Sequence, residues 1–430
     1  MSAMLATSLA VVTLLCAGTC RNVPSQGSHV STETAVLVVP GYYGSRLSQV
    51  TDGSLVWISA MEALFGTRSL VLPLPGMRVE ESVDLGTDGI LRKVAVIPLL
   101  YSIDAYGSLL DALDRFSDGR VMIVPVAYDW RRDVMEAVRS LHSTVTHLRA
   151  QGVRRVGIVA HSMGGLVVSY YLRYGVQEVD DAVETWAGAS QVETVALAGV
   201  PFLGTMTVFR NMQYGRRIGL NTSLLDHRAV SSFPASYYIL PAGFTDVLLT
   251  PSLEPLKSLI RDAGSWKQYG WGLLNDPRGL SKEIVAHRFA YTAHWLQQST
   301  RFSELLHAPL RVPNRSPIPL LTVVAKGRGT LAKGVSMEGQ SSNMCSFLLF
   351  DETHFRQCLP GIDPNVSLED GDGTVTVRSA QLPEAYEQAF RVMHREATVG
   401  HGELVSESEM QQAMIRFLRD AMAYRRAATS

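Results

Sequence analysis

Residues 156–170 read VGIVAHSMGGLVVSY, and this stretch decides the fold. Val156 to Ala160 is an apolar run of the kind a fully buried strand needs. A turn follows at His161-Ser162-Met163-Gly164-Gly165. Leu166, Val167, Tyr170 and Tyr171 then continue at helical spacing. Strand, sharp turn with a serine at its tip, helix: this layout exposes a nucleophilic serine at the carboxyl end of a central strand. Ala160 and Gly164 stand two places either side of Ser162. Both are small, as a turn that brings strand and helix backbones together requires. The plainer reading is a small-residue turn with a structural serine, so Ser162 needs partners elsewhere in the chain.

The composition narrows the classes. A chain of 430 residues that is 46% hydrophobic and 18% charged can bury a large core. At ~150 residues per domain its length suggests several domains, but one α/β unit with an insertion also reaches this size. A formal net charge of -1 argues against nucleic-acid binding, which needs a basic face. There is no CxxC and no His/Cys cluster with zinc spacing, so no structural metal is expected. Cys345 and Cys358 are close enough in sequence to bridge if the protein is exported, or remain two free thiols. Residues 1–20 form an uncharged apolar, signal-like segment, and Cys20 follows Ala17-Gly18-Thr19 as in a weak lipoprotein box. The expectation is export or membrane association, with Cys20 as a candidate for lipid attachment; a misplaced start, a short anchor or a cytoplasmic protein are the alternatives.

Beyond a polar linker at residues 21–34, Ala35 to Val39 reads as a buried strand ending in Pro40-Gly41-Tyr42-Tyr43-Gly44. Such a strand-to-turn junction is either an ordinary turn or one that puts the Tyr42 amide where it faces a developing oxyanion, with the Met163 amide as the second donor. Tyr106, Leu109, Leu110, Leu113 and Phe116 predict a helix over Asp104 to Phe116. A strand is expected over Arg120 to Val126, and an amphipathic helix over Val134 to Leu148. Asp129 and Arg131 between them read as a structural ion pair. Glu193 to Val200 is a further strand. Strands alternating with helices imply a mostly parallel sheet. Residues 35–204 therefore read as the first part of an α/β core and residues 316–430 as the second. Residues 205–315 are aromatic-rich without a clear period and read as an inserted cap or lid. The second part opens with a strand over Ile318 to Ala325. It continues with an acidic loop over Glu369 to Val375, a last strand over Gln388 to Glu396, and a closing helix from Ser406 to Tyr424.

An activated serine needs a histidine base and a carboxylate that fixes the histidine's tautomer, in the chain order Ser, Asp or Glu, His. Asp372 and His401 satisfy that order. Asp370, Asp363 and Asp351 compete for the acid, Asp370 most closely. His354 and His394 compete for the base, and His394 falls inside the expected last strand. The DGDGT string also resembles a calcium loop, but it lacks the later ligands.

The ordered set VLVVPGYYGSRL, LVW, AYDWRR, AHSMGG, AGVPFLGT, SSFPASYYILP, DGDGTV and GHGE spans residues 36–420 and resembles the lecithin:cholesterol acyltransferase family, which includes lysosomal phospholipase A2. The resemblance implies an α/β-hydrolase fold with a cap and a triad of Ser162, Asp372 and His401. It also implies oxyanion amides at Tyr42 and Met163, a lipid ester as substrate at a lipid surface, and no cofactor. The family's acid falls on the third acidic position of the loop, which selects Asp372 over Asp370. Animal members grip lipid with an early disulfide-closed loop, and the stretch around Trp57 has no cysteines for one.

Overall fold

The structure is a computed structural model. It describes residues 33–66, 68–75, 84–97, 101–256, 259–275, 279–315, 317–337, 348–350 and 352–428. The signal-like segment 1–20, with Cys20, and nearly all of the linker lie outside the described residues, as do Cys345 and Asp351. Cys358 is disulfide-bonded.

Six strands form the central sheet: β1 (Thr34–Val39), β2 (Met122–Pro125), β3 (Arg155–His161), β4 (Thr194–Ala198), β5 (Pro319–Ala325) and β6 (Arg391–Ala397). Their order is β6-β5-β4-β3-β1-β2, and every pairing is parallel. β1 and β3 run as apolar stretches rather than alternating because both faces of the sheet are covered. Leu37, Val39, Ile158 and Ala160 face one core, shared with α2 (Val134–Ala150) and α3 (Met163–Tyr174). Val36, Val38, Val159 and Ala196 face the other, with α1 (Gly107–Ser117) and the closing helix Ser408–Ala428.

Several expected boundaries move. β1 begins at Thr34, one residue inside the stretch read as linker. Gln388 and Ala389 are helical, in Glu384–Ala389, because Pro383 starts a short helix that buries Ala385, Tyr386 and Ala389; β6 begins only at Arg391. The acidic segment is not all loop: Leu368–Gly371 is a strand, antiparallel to Arg328–Leu331. The closing helix starts at Ser408, after a separate turn at Glu403–Ser406.

Residues 199–318 stand between β4 and β5. They hold a helix of 26 residues, α4 (Lys282–His307), where no period was read. The reason is chemical: its buried face carries Arg288, Thr292, Ser299 and Ser303 beside Leu296 and Phe302, so no apolar stripe marks it. Arg173 of α3 is fully buried where the end of α4 meets it. It pairs with Glu184 at 3.0 Å and donates to the carbonyls of Leu305 at 3.2 Å and Pro309 at 2.9 Å. Breaking a buried pair leaves an uncompensated charge, so Glu184→Ala is expected to cost about 3–5 kcal/mol. Removing Glu178 from its exposed 2.6 Å pair with Arg139 is expected to cost about 1 kcal/mol or less. Urea unfolding of both variants checks the contrast.

Candidate active site

At the carboxyl end of β3 the chain turns sharply into α3, and Ser162 sits at the turn with φ 56° and ψ -129°. An L-residue with positive φ is held there only by its surroundings. The Ser162 N–H donates to the Ala198 carbonyl at 2.9 Å, and the Gly165 N–H donates to the Ser162 carbonyl at 2.9 Å. A Cβ on Gly164 would stand 2.4 Å from the Pro40 oxygen and 2.6 Å from the Val39 oxygen. Glycine is thus needed at 164 to admit the end of the neighbouring strand β1, a correction to the expected close approach of β3 and its own helix. Gly165 is kept small by Val200, 2.1 Å from where its Cβ would lie.

The three residues expected to act together do meet. His401 Nε2 lies 2.9 Å from Ser162 Oγ, and His401 Nδ1 lies 2.7 Å from Asp372 Oδ2. The other Asp372 oxygen accepts from the N–H groups of Thr374 at 2.8 Å and Val375 at 2.7 Å. The Asp372 carbonyl accepts the His401 N–H at 3.0 Å. Burial alone raises a carboxyl pKa, but here the hydrogen bond and charge of His401 and the two amides outweigh it and hold Asp372 below its usual range. Gly199, at φ 59°, leaves room for the His401 ring, whose atoms would lie 3.3 Å from a Cβ at that position.

Three of the competing residues, Asp370, Asp363 and His394, have partners of their own away from Ser162. Asp370 is exposed and accepts the Gly327 N–H at 2.6 Å, bracing a turn. Asp363 accepts from the Asn365 N–H at 3.0 Å. His394 is exposed on the edge strand and faces Glu387 at 3.2 Å. Asp129 and Arg131 pair at 2.8 Å as expected, with Arg131 also reaching the Leu70 carbonyl at 3.3 Å.

Among the described residues, no protein acceptor is found for the N–H of Tyr42 or of Met163. Met163 is the first residue of α3, where backbone N–H groups have no intrahelical partner. The loop carrying Tyr42 is braced from two sides. Tyr128 donates its hydroxyl to the Pro40 carbonyl at 2.6 Å. The Tyr42 hydroxyl donates at 2.7 Å to Ser236 Oγ, whose own hydrogen goes to the Val230 carbonyl at 2.6 Å. A cavity of about 340 Å³ opens above Ser162, lined by Tyr42, Val208, Ile239 and Val405 and by the Arg216 side chain, which stacks over Tyr43.

Sequence reading missed two side chains here. Tyr106 counted only as an apolar position of a helix; its hydroxyl instead accepts the Gly41 N–H at 2.8 Å. His161 was read as part of a turn, yet it is buried at the site, with its pKa lowered to about 3 by burial and by His401. No period or motif spacing distinguishes a buried tyrosine that hydrogen-bonds from one that only packs.

Residues 100–296 match the family model of lecithin:cholesterol acyltransferase, so the resemblance read from the motifs is shown over that span. No curated protein sequence matches the chain. Among solved structures, that of the Tle4-Tli4 complex is similar with a TM-score of 0.53 at 12% identity, over 90% of this chain and 98% of that one. The mature lipase BlEst2 of Bacillus licheniformis gives 0.35 at 9% identity, over 91% and 92%. The fold is that of the α/β-hydrolases, and the family match supports an enzyme of lipid-ester chemistry in general terms.

His161 supplies a test of this description. Its unfolded-state pKa is ~6.5, whereas the folded value is about 3. Its contribution to stability is therefore complete above pH 6.5. As acid protonates only the unfolded chain, it is lost at about 1.4 kcal/mol per pH unit down to about pH 3. The difference in unfolding free energy between wild type and His161→Gln, measured by urea at pH 7, 6, 5 and 4, is expected to begin to shrink near pH 6.5 and to approach that slope below about pH 5.5. In NMR titrations the His161 ring is expected to show no protonation between pH 5 and 8.

Proposed function

On the premise of the family match over residues 100–296, we propose that the protein is a serine-dependent lipid acyltransferase or phospholipase that works through an acyl-serine. Ser162 is the nucleophile, His401 the base and Asp372 the carboxylate that orients it. The N–H groups of Tyr42 and Met163 bind the oxyanion, and no cofactor takes part. The single observation that supports this most is the unbroken line from Ser162 Oγ through His401 to Asp372, 2.9 Å and 2.7 Å, beneath a cavity large enough for an acyl ester.

The chemistry follows from that line. Asp372 accepts from His401 Nδ1–H, leaving Nε2 as the proton acceptor towards Ser162. As Ser162 Oγ attacks the ester carbonyl carbon, its proton passes to His401 Nε2, and negative charge develops on the carbonyl oxygen. Two backbone N–H groups with no other acceptor among the described residues meet that charge; in similar sites the loss of one donor costs about 3 kcal/mol of barrier. The tetrahedral adduct collapses, the ester C–O bond breaks, and His401 returns the proton to the leaving alcohol. A second alcohol or a water then attacks the acyl-serine by the same steps in reverse.

Residues 205–315 act as the cap that controls which of the two arrives, since excluding water favours an alcohol acceptor. The substrate is presented at a lipid surface.

Product analysis tests the reading. Purified protein is incubated with phospholipid vesicles carrying a labelled acyl chain, with and without a sterol or fatty alcohol. Labelled ester of the added alcohol identifies a transferase, and free labelled fatty acid alone identifies a phospholipase. Neither product, despite labelling of Ser162 by a fluorophosphonate, identifies an esterase acting on other esters. Ser162→Ala is expected to lower turnover by on the order of 10⁶-fold while remaining folded. His394→Ala, on the exposed edge of the sheet, is expected to retain full activity.

A further inference from the structure

One line of hydrogen bonds runs behind the reacting groups and joins all the loops that carry them. The Gly41 N–H lies 2.8 Å from Tyr106 Oη, and Tyr106 Oη lies 2.8 Å from His161 Nδ1. On the far side of the ring, His161 Nε2 lies 3.0 Å from the His401 carbonyl oxygen. The His401 N–H then meets the Asp372 carbonyl at 3.0 Å. Gly41 precedes Tyr42, and His161 precedes Ser162. The line therefore touches the oxyanion loop, the nucleophile turn, the base loop and the acid loop, one residue or less from each reacting group.

The two ends fix the direction of every proton. An amide N–H only donates and a carbonyl oxygen only accepts. Tyr106 Oη therefore accepts from Gly41, and its single hydrogen goes to His161 Nδ1. His161 then carries its hydrogen on Nε2 and donates it to His401. Each proton is used once, and the line closes only with that tautomer of a neutral ring. Burial favours the neutral state, and it also keeps the Tyr106 phenol protonated. Tyr106 and His161 are both buried, at the wall of the cavity above Ser162.

We propose that Tyr106 and His161 are positioning residues for the acyl-transfer reaction: their hydrogen-bond relay holds the oxyanion loop in register with the base loop, so that the Tyr42 N–H and His401 Nε2 address one substrate carbonyl together. Neither side chain reacts. This inference rests on the reading of Ser162 as nucleophile. It extends that reading by assigning a role to two side chains outside the triad. Gly41 has no side chain to hold its place, and a Cβ there would stand 2.7 Å from the Ser162 Cβ. Gly41 is therefore held through its backbone, its carbonyl by the Gly44 N–H at 2.9 Å and its N–H by the Tyr106 hydroxyl, which adds to the bond of Tyr128 on the Pro40 carbonyl a link to the base loop.

The test compares Tyr106→Phe, His161→Leu and His161→Gln with wild type on a medium-chain p-nitrophenyl ester. Tyr106→Phe keeps the ring and removes only the hydroxyl. It is expected to lower kcat on the order of 10- to 100-fold, the effect of misplacing a catalytic group by a fraction of an ångström to one ångström, with KM unchanged. His161→Leu is expected to do the same. Glutamine carries one acceptor and one donor on a single amide, so His161→Gln is expected to recover most of the loss. A kcat equal to wild type in folded Tyr106→Phe and His161→Leu overturns the proposal. So does a folded His161→Gln no better than His161→Leu, which would mark a role in packing only. A measurement on the unaltered protein stands beside these: ¹⁵N chemical shifts are expected to show His161 as the Nε2–H tautomer, and an Nδ1–H tautomer contradicts the relay. Ser162→Ala run in parallel separates the two levels. If it retains turnover, the nucleophile reading fails; if it is inactive while Tyr106→Phe matches wild type, only the relay fails.

Discussion

Ser162 is held at φ 56° between the end of β3 and the start of α3, and the rest of the site is arranged around that turn. A side chain in such a conformation costs about 1–3 kcal/mol. The turn persists because its backbone is spoken for on both sides, by the Ala198 carbonyl and by the Gly165 N–H. It also persists because glycine at 164 lets β1 end directly beside it. The strain lifts the serine hydroxyl clear of the strand, to where a base from a distant part of the chain can reach it. A relaxed turn would leave the hydroxyl among its own neighbours.

The parallel sheet explains why the partners converge. β1, β3, β4, β5 and β6 all point the same way, so the loops at their carboxyl ends lie on one edge, where open α/β sheets gather their functional groups. What the sheet does not supply is fine register between loops. That comes from single polar contacts: Tyr128 on the Pro40 carbonyl at 2.6 Å, Thr205 on the Thr374 carbonyl at 2.6 Å, and Ser379 on the Gly204 carbonyl at 2.6 Å. Two of these bridge the Pro201-Phe202-Leu203-Gly204-Thr205 turn and residues 374–379 that follow Asp372. The motif AGVPFLGT thereby supports the loop of Asp372, and its Pro201 and Thr205 also line the cavity. A typical neutral hydrogen bond contributes only about 1 kcal/mol net, yet each of these ties together loops that meet around Ser162, His401 and Asp372.

Much of this is legible in the sequence alone, for reasons that differ by residue. The elbow at Ser162 announces itself because its geometry restricts residue types at fixed offsets. β1, β3 and β4 are legible because burial on both faces demands unbroken apolar runs. Asp372 and His401 were legible only as a chain order and as a resemblance, since nothing local says that a carboxylate and an imidazole 29 positions apart will touch. The helix Lys282–His307 was hidden by its polar buried face. The strand Leu368–Gly371 was hidden because its pairing partner, Arg328–Leu331, is far away in sequence and its own residues are acidic. Tyr106 and His161 were hidden for a related reason: whether a buried polar group only packs or also hydrogen-bonds depends on partners that only the fold brings near.

The account turns on a covalent bond to one atom, Ser162 Oγ, and that bond can be caught. The protein is mixed with a chromogenic fatty ester, quenched in acid within the first turnover, digested and analysed by mass spectrometry. The account predicts that the peptide containing Ser162 carries one added acyl group, that the adduct appears with the burst of released chromophore, and that it decays when alcohol or water is given time to act. Full turnover with the acyl group on another side chain, or a burst with no adduct on Ser162, would contradict it.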